Sequence, residues 1–287
     1  MKKIYMYIIL FILIFFVLPT ICTTTKKTEE VQSISNQIEE NNQIEKYEYS
    51  KYKTIKLLHQ STQEVEEIGI DEYLYGVVSS EMPANFEEEA LKAQAIVART
   101  YTIYQIINNK SKHENADICD DYRCCQAWIS KEERIAKWNE NEAETNWNKI
   151  VEAVDSTSGK IIVYNGEPIN AFFHANSGGV TESSLNIWGG IDYPYLKSVE
   201  TSGEQDYTQY NSEVILSKEE LVEKLKSKYQ DINIDFSQED SIKILEYTTS
   251  GRVKTIKFGN KEIAGTEART LLGLKSTNFT VEIINDN

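Results

Sequence analysis

The chain has 287 residues, with 45 acidic against 30 basic side chains and a net charge of −15. Acids spread along the whole length exclude the basic surface that grips nucleic acid or anionic lipid. A ligand is therefore held by something other than bulk charge, and 17 Tyr with 4 Trp supply amphipathic rings that can lie against sugar faces as well as fill a core.

Met1-Lys2-Lys3 precede an uncharged run from Ile4 to Cys22, which at about 1.5 Å per residue is just long enough as a helix to cross a bilayer. The two lysines place its start in the cytoplasm and everything after Cys22 outside. No A-x-A-like site lies between Pro19 and Lys27, which favours an uncleaved anchor over a signal peptide. The bulky Ile21 before Cys22 is poor for lipoprotein processing, so Cys22 reads as a small apolar residue. From Thr23 to Ser50 the sequence is polar with scattered single hydrophobes, too few to offset the entropy of ordering it. The expected organisation is a cytoplasmic tail at 1–3, a transmembrane anchor at 4–22, a flexible linker at 23–50 and an exported domain at 51–287. That domain is large enough for one core or for two lobes sharing a cleft.

Within it, Tyr52 to Leu58 reads as a strand, and Tyr73, Leu74, Val77 and Val78 give helical spacing over 71–80 before Glu81-Met82-Pro83 ends the helix. Asn85 with Glu88 predicts a capping box for a second helix, running from Ala90 to Ile107. Its four alanines, Ala90, Ala93, Ala95 and Ala98, suit close packing inside the molecule. Ile161 to Phe173 predicts a hairpin turned by Asn165-Gly166. Loops follow through His174–Gly179 and Trp188–Lys197, positions where function is usually mounted. Ser217 and Glu220 predict a capped helix to about Tyr229, then strands at 242–247 and 252–258, a helix near Thr266–Leu272 and a last strand at 280–284. Without regular βαβ alternation this is an α+β fold: mixed helices and antiparallel strands around a substrate cleft.

Glu81 lies between apolar stretches beside Met82 and Pro83, where a carboxyl has its pKa pushed upward as a general acid requires; otherwise it is a surface residue at a helix end. Arg99 is the one charge between Lys92 and Lys110, and a buried guanidinium needs an anionic or carbonyl partner. That partner is Glu81, a substrate or a structural acid. No two of the 45 acids stand out as a glycosidase pair. One acid suffices if the sugar's own hydroxyl is the nucleophile, since the same carboxyl then gives and takes the proton. Ser177 near His174 reads as a turn serine beside a structural histidine more readily than as a catalytic pair. His113, Cys119 and Cys125, with Cys124 adjacent, gather soft ligands in one loop. The histidine favours zinc, while a disulfide from Cys119 to Cys124 or Cys125 stays open.

These residues together resemble a known family. Tyr73-Leu74-x-Gly76-Val77-Val78-x-x-Glu81-Met82-Pro83, Glu89-Ala90-Leu91-Lys92-Ala93-Gln94-Ala95 to Arg99-Thr100-Tyr101, His174-x-Asn176-Ser177-Gly178-Gly179, Trp188-Gly189, Pro194-Tyr195-Leu196 and Arg269 to Ser276 look like the stage II sporulation protein D family. The resemblance implies a lytic transglycosylase that cuts between N-acetylmuramic acid and N-acetylglucosamine in peptide-free glycan strands and leaves 1,6-anhydro ends. An alternative within it is a wall-binding enhancer of an amidase. It implies Glu81 as the catalytic residue and Arg99, Tyr195 and Lys197 as further important polar residues, with His174 and Ser177 shaping the substrate site. It also implies zinc on His113, Cys119 and Cys125, structural and not needed for the chemistry. The implied partners are a sporulation amidase and membrane scaffold proteins of forespore engulfment, and the implied location is the engulfing septal membrane of the mother cell.

Overall fold

In a computed structural model of the chain, residues 52–108, 112–207 and 210–284 are described. The expected anchor at 4–22 and linker at 23–50 lie outside them. Among the described residues no helix is long and apolar enough to cross a membrane. The chain divides into two compact units, one ending at Phe172 and one beginning at Phe173.

The first unit opens with β1 (Thr54–His59), whose Ile55 and Leu57 alternate inward while Thr54 and Lys56 face solvent. It pairs antiparallel with β2 (Glu64–Gly69). The residues of β2 show no apolar alternation, and four of the six are exposed; the pairing to β1 makes it a strand. Two helices follow, α1 (Ile70–Glu81) and α2 (Glu88–Ile107). The expected capping box at Asn85 is not formed: Glu87 is the N-cap residue, because Phe86 N–H turns back to the Pro83 carbonyl and delays the helix start. Of the four alanines only Ala95 and Ala98 are buried, so α2 buries one face and not its whole circumference.

After a short β3 (Ile118–Cys119), parallel to β1, come α3 (Lys131–Lys137) and α4 (Glu140–Asp155). Neither helix was among the expected elements, although Ser130 and Asn139 cap them and Ala143, Trp147, Ile150, Ala153 and Val154, which α4 buries, recur at helical spacing. The core of this unit is the junction of α1, α2, α4 and the β-sheet. The hairpin of β4 (Val163–Tyr164) and β5 (Glu167–Pro168) turns through Asn165 and Gly166, both at positive φ, as the Asn-Gly pair requires.

The second unit carries α5 (Ser184–Trp188) and α6 (Lys218–Lys226), the latter with the predicted Ser217–Glu220 capping box. An antiparallel sheet, β6 (Ile242–Tyr247), β7 (Val253–Phe258) and β8 (Lys261–Ala264), packs on α6 and α7 (Gly265–Leu272) through Leu225, Ile256, Phe258 and Ala268. The strand expected at 280–284 is irregular; it has no ladder partner among the described residues. The α+β class holds, with β1–β3 the one parallel pairing among the described strands.

Candidate active site

Glu81 is the last residue of α1. A carboxylate at that end meets the negative pole of the helix, and the last turn of α1 carries no basic side chain to compensate it. The side chain is half-buried, and its Oε1 accepts a 2.8 Å hydrogen bond from Ala127 N–H. Burial pushes its pKa up, against the single amide that favours the ionised form. The result is a carboxyl biased towards holding its proton, with one oxygen fixed.

Ala127 reaches Glu81 because the segment 126–129 lies along α1. Gly76 permits this approach: a Cβ there would stand 2.2 Å from Trp128 Nε1 and 2.6 Å from the Ile129 carbonyl oxygen. The sequence pattern offered Gly76 only as part of a motif, and nothing in it named Ala127.

Arg99 is wholly buried on α2. Its guanidinium donates to the carbonyls of Thr157, Val154 and Lys160 and pairs with Asp71 Oδ1 at 3.2 Å. It thus closes the C-terminal end of α4, whose orphan carbonyls need donors, and ties α4 to α1 and α2. These partners answer the structural alternative raised by its sequence position.

His113, Cys119, Cys124 and Cys125 place their ligand atoms within 4.8 Å of one another. Cys124 Sγ and Cys125 Sγ lie 3.6 and 3.8 Å from His113 Nε2, and 3.8 Å from each other. A tetrahedral zinc with bonds of about 2.3 Å to sulfur and about 2.1 Å to nitrogen has edges of just this length. A disulfide would need sulfurs at about 2.05 Å, and all three cysteines here are free. The residues therefore fit a metal ion as a three-cysteine, one-histidine set. Cys124, the odd residue in the sequence pattern, places its sulfur among the other three ligand atoms. Burial raises the Cys125 thiol pKa, a shift that a bound cation would reverse.

In the second unit Ser177 is buried and bonded by its Oγ and N–H to Glu204. Glu204 also takes the Gly179 N–H and the Thr201 hydroxyl. Its part-burial would raise its pKa, but the bonds from Ser177, Gly179 and Thr201 outweigh that and hold it down at about 2. Arg252 seizes the Ser177 and Val180 carbonyls from below. Ser177 is accordingly a fixed turn residue, while His174 beside it is exposed. The Val180–Glu200 bridge joins this loop to the segment carrying Tyr195 and Lys197, whose carbonyl accepts from Thr181 Oγ1. Tyr195 is half-buried against Tyr193, ring centroids 5.5 Å apart, and the exposed Lys197 pairs with Asp192. Ser177, Tyr195 and Lys197 thus lie in the second unit and Glu81, Arg99 and the thiol cluster in the first, where Arg99 pairs with Asp71 at the start of α1 and Glu81 stands at its other end, so the two are not partners.

Residues 58–164, which span α1, α2 and the thiol cluster, match the SpoIID family model, described as that of a stage II sporulation protein. Among its relatives is stage II sporulation protein D of Bacillus subtilis (strain 168), 36% identical over 227 residues, covering 79% of this chain and 64% of that protein. Stage II sporulation protein D of Bacillus amyloliquefaciens is 33% identical over 228 residues, with the same coverage of 79% and 64%. The match thus spans just under two thirds of the length of these relatives. The amidase enhancer of Bacillus subtilis (strain 168) is 35% identical over 123 residues, 43% of this chain and 14% of that protein.

Proposed function

We propose that the chain is a sporulation lytic transglycosylase that cuts peptide-free glycan strands of the cell wall, with Glu81 as its single acid/base. The observation that carries this reading is the Glu81 carboxyl itself, half-buried at the negative end of α1 and held by one amide. In the reaction Glu81 gives its proton to the oxygen bridging N-acetylmuramic acid and N-acetylglucosamine, and the bond from that oxygen to C1 of the muramic sugar breaks. The resulting carboxylate then takes the proton of the C6 hydroxyl as that oxygen closes onto C1. No water is consumed, and Glu81 ends as it began. The Ala127 amide fixes the carboxyl for both transfers.

Arg99 serves this chemistry through the packing of α1 rather than by touching sugar. Tyr195, Lys197 and His174 are proposed to contact glycan from the second unit, with Ser177 fixing their loop. Zinc on His113, Cys119, Cys124 and Cys125 would brace the loop 113–125 and supply no part of the reaction. The proposed setting is the outer face of the mother-cell membrane, anchored by residues 4–22, beside an amidase that strips peptides and the scaffold proteins of engulfment.

A second reading, a non-catalytic enhancer of an amidase, is favoured by the local likeness to the amidase enhancer. Mass spectrometry of peptide-free glycan strands incubated with the purified chain separates the two. Anhydro-muramic ends from wild type and none from Glu81→Gln support the transglycosylase. No product from either, with stimulation of added amidase, supports the enhancer, and reducing ends would make water the nucleophile. For the metal, native mass spectrometry is expected to find one zinc bound and to lose it in Cys124→Ser; a chain lighter by two hydrogens and free of metal would mean a disulfide.

A further inference from the structure

Ala127 holds Glu81 through its backbone, so something else must hold Ala127. The residue before it, Gln126, is buried to 2% exposure, and its Nε2 donates to Tyr73 Oη on α1 and to Thr102 Oγ1 on α2, each at 3.2 Å. The orientation of the amide is settled by chemistry. Thr102 Oγ1 already gives its proton to the Ala98 carbonyl at 2.9 Å, so towards Gln126 it can only accept. The residue after Ala127, Trp128, is seated in the notch left by Gly76. The Ala127 amide is thus fixed between two anchored neighbours.

Filling of the core does not account for Gln126. Its Oε1 is buried without a partner among the described residues, which costs stability that an apolar side chain would not. What an amide adds is direction, since two acceptors on two helices define one position for the backbone that follows.

We propose that Gln126 is a positioning residue for Glu81, locking the 126–128 turn to α1 and α2 so that the Ala127 N–H stays on the carboxyl. This rests on the reading of Glu81 as the acid and adds a residue to it.

The test is the Ala127 amide in the ¹⁵N-labelled full chain. In the wild-type background Glu81→Gln should move the Ala127 amide proton; in a Gln126→Met background the same change should leave it still, with Ala127 exchanging about tenfold faster or more. Thr102→Val, which removes one of the two acceptors, should give an intermediate effect and decides the matter if Gln126→Met does not fold. A folded Gln126→Met, or failing that Thr102→Val, in which Ala127 keeps its exchange rate and its response to Glu81 would overturn the proposal. Turnover of peptide-free glycan adds a second readout, with kcat falling about tenfold in Gln126→Met and KM unchanged. Loss of stability alone would not split kcat from KM in this way. Absence of turnover in wild type would overturn the acid reading of Glu81, and the amide then decides the clamp by itself.

Discussion

Two glutamates in the two units are held by backbone amides and end with opposite character. Glu81 receives one N–H, sits at the negative end of a helix and has its pKa raised by burial. Glu204 receives the N–H groups of Ser177 and Gly179 and the hydroxyls of Ser177 and Thr201, and is held at about 2 despite its own part-burial. Burial alone, then, does not make an acid. The number of donors decides, because each one stabilises the charge that burial disfavours. One donor orients a carboxyl and leaves it able to keep a proton; four keep it ionised until the pH falls to about 2 and let it tie a loop.

The largest expected effect separates the two directly. Glu81→Gln should lower turnover of glycan strands by about 10²–10⁴-fold, the usual worth of acid–base catalysis, with the unfolding midpoint in urea unchanged or higher. Glu204→Gln should leave that chemistry within a few-fold, so equal losses in both would break the contrast. Next, Gly76→Ala drives a methyl into Trp128 and the Ile129 carbonyl, and should cost about 1–3 kcal/mol in urea unfolding by overpacking. It should also shift the Ala127 amide in NMR spectra. Glu204→Ala leaves the buried Ser177 N–H without its acceptor, while the Ser177 hydroxyl keeps Thr201 Oγ1, for a loss of about 1–3 kcal/mol, measured the same way.

The smallest effect is in the pH dependence of stability, where the two residues have opposite signs. Glu204 stabilises fully above its unfolded value of 4.5, and that contribution is lost as pH falls towards about 2. Glu81, raised above 4.5 in the fold, favours the folded state below 4.5, and this is lost as pH rises through its folded value. Midpoints measured across pH in wild type and each Gln variant should therefore diverge on the acid side for Glu204 and on the less acid side for Glu81.

The sequence was legible where local chemistry dictates local shape. The α1 and α2 helices, the Asn165-Gly166 turn and the Ser217 capping box follow from spacing and caps. Strand β2 was not legible, since it is defined by what it pairs with, whereas α3 and α4 were missed although Ser130 and Asn139 cap them and α4 carries an apolar stripe from Ala143 to Val154. The same boundary runs through the site. Glu81 could be picked out as a carboxyl in apolar surroundings, but its partner is a backbone amide 46 positions away, and an alanine carries no sequence signal for its N–H. Arg99 was legible as a buried charge in need of an acid or carbonyls, while which ones, Asp71 and three carbonyls at and beyond the end of α4, could not be read. Cys124 looked superfluous in a linear spacing, and its sulfur comes beside the other ligand atoms where Cys124 N–H and Cys125 N–H both turn back to the Asp121 carbonyl.

Burial at the end of α1 should let Glu81 hold its proton more readily than an ordinary glutamate does. Carboxyl titration by ¹³C NMR of the labelled chain, reading Glu81 and Glu204 in one sample, tests it. The prediction is a Glu81 midpoint above 4.5 and a Glu204 midpoint near 2. A Glu81 midpoint at or below 4.5 would contradict it.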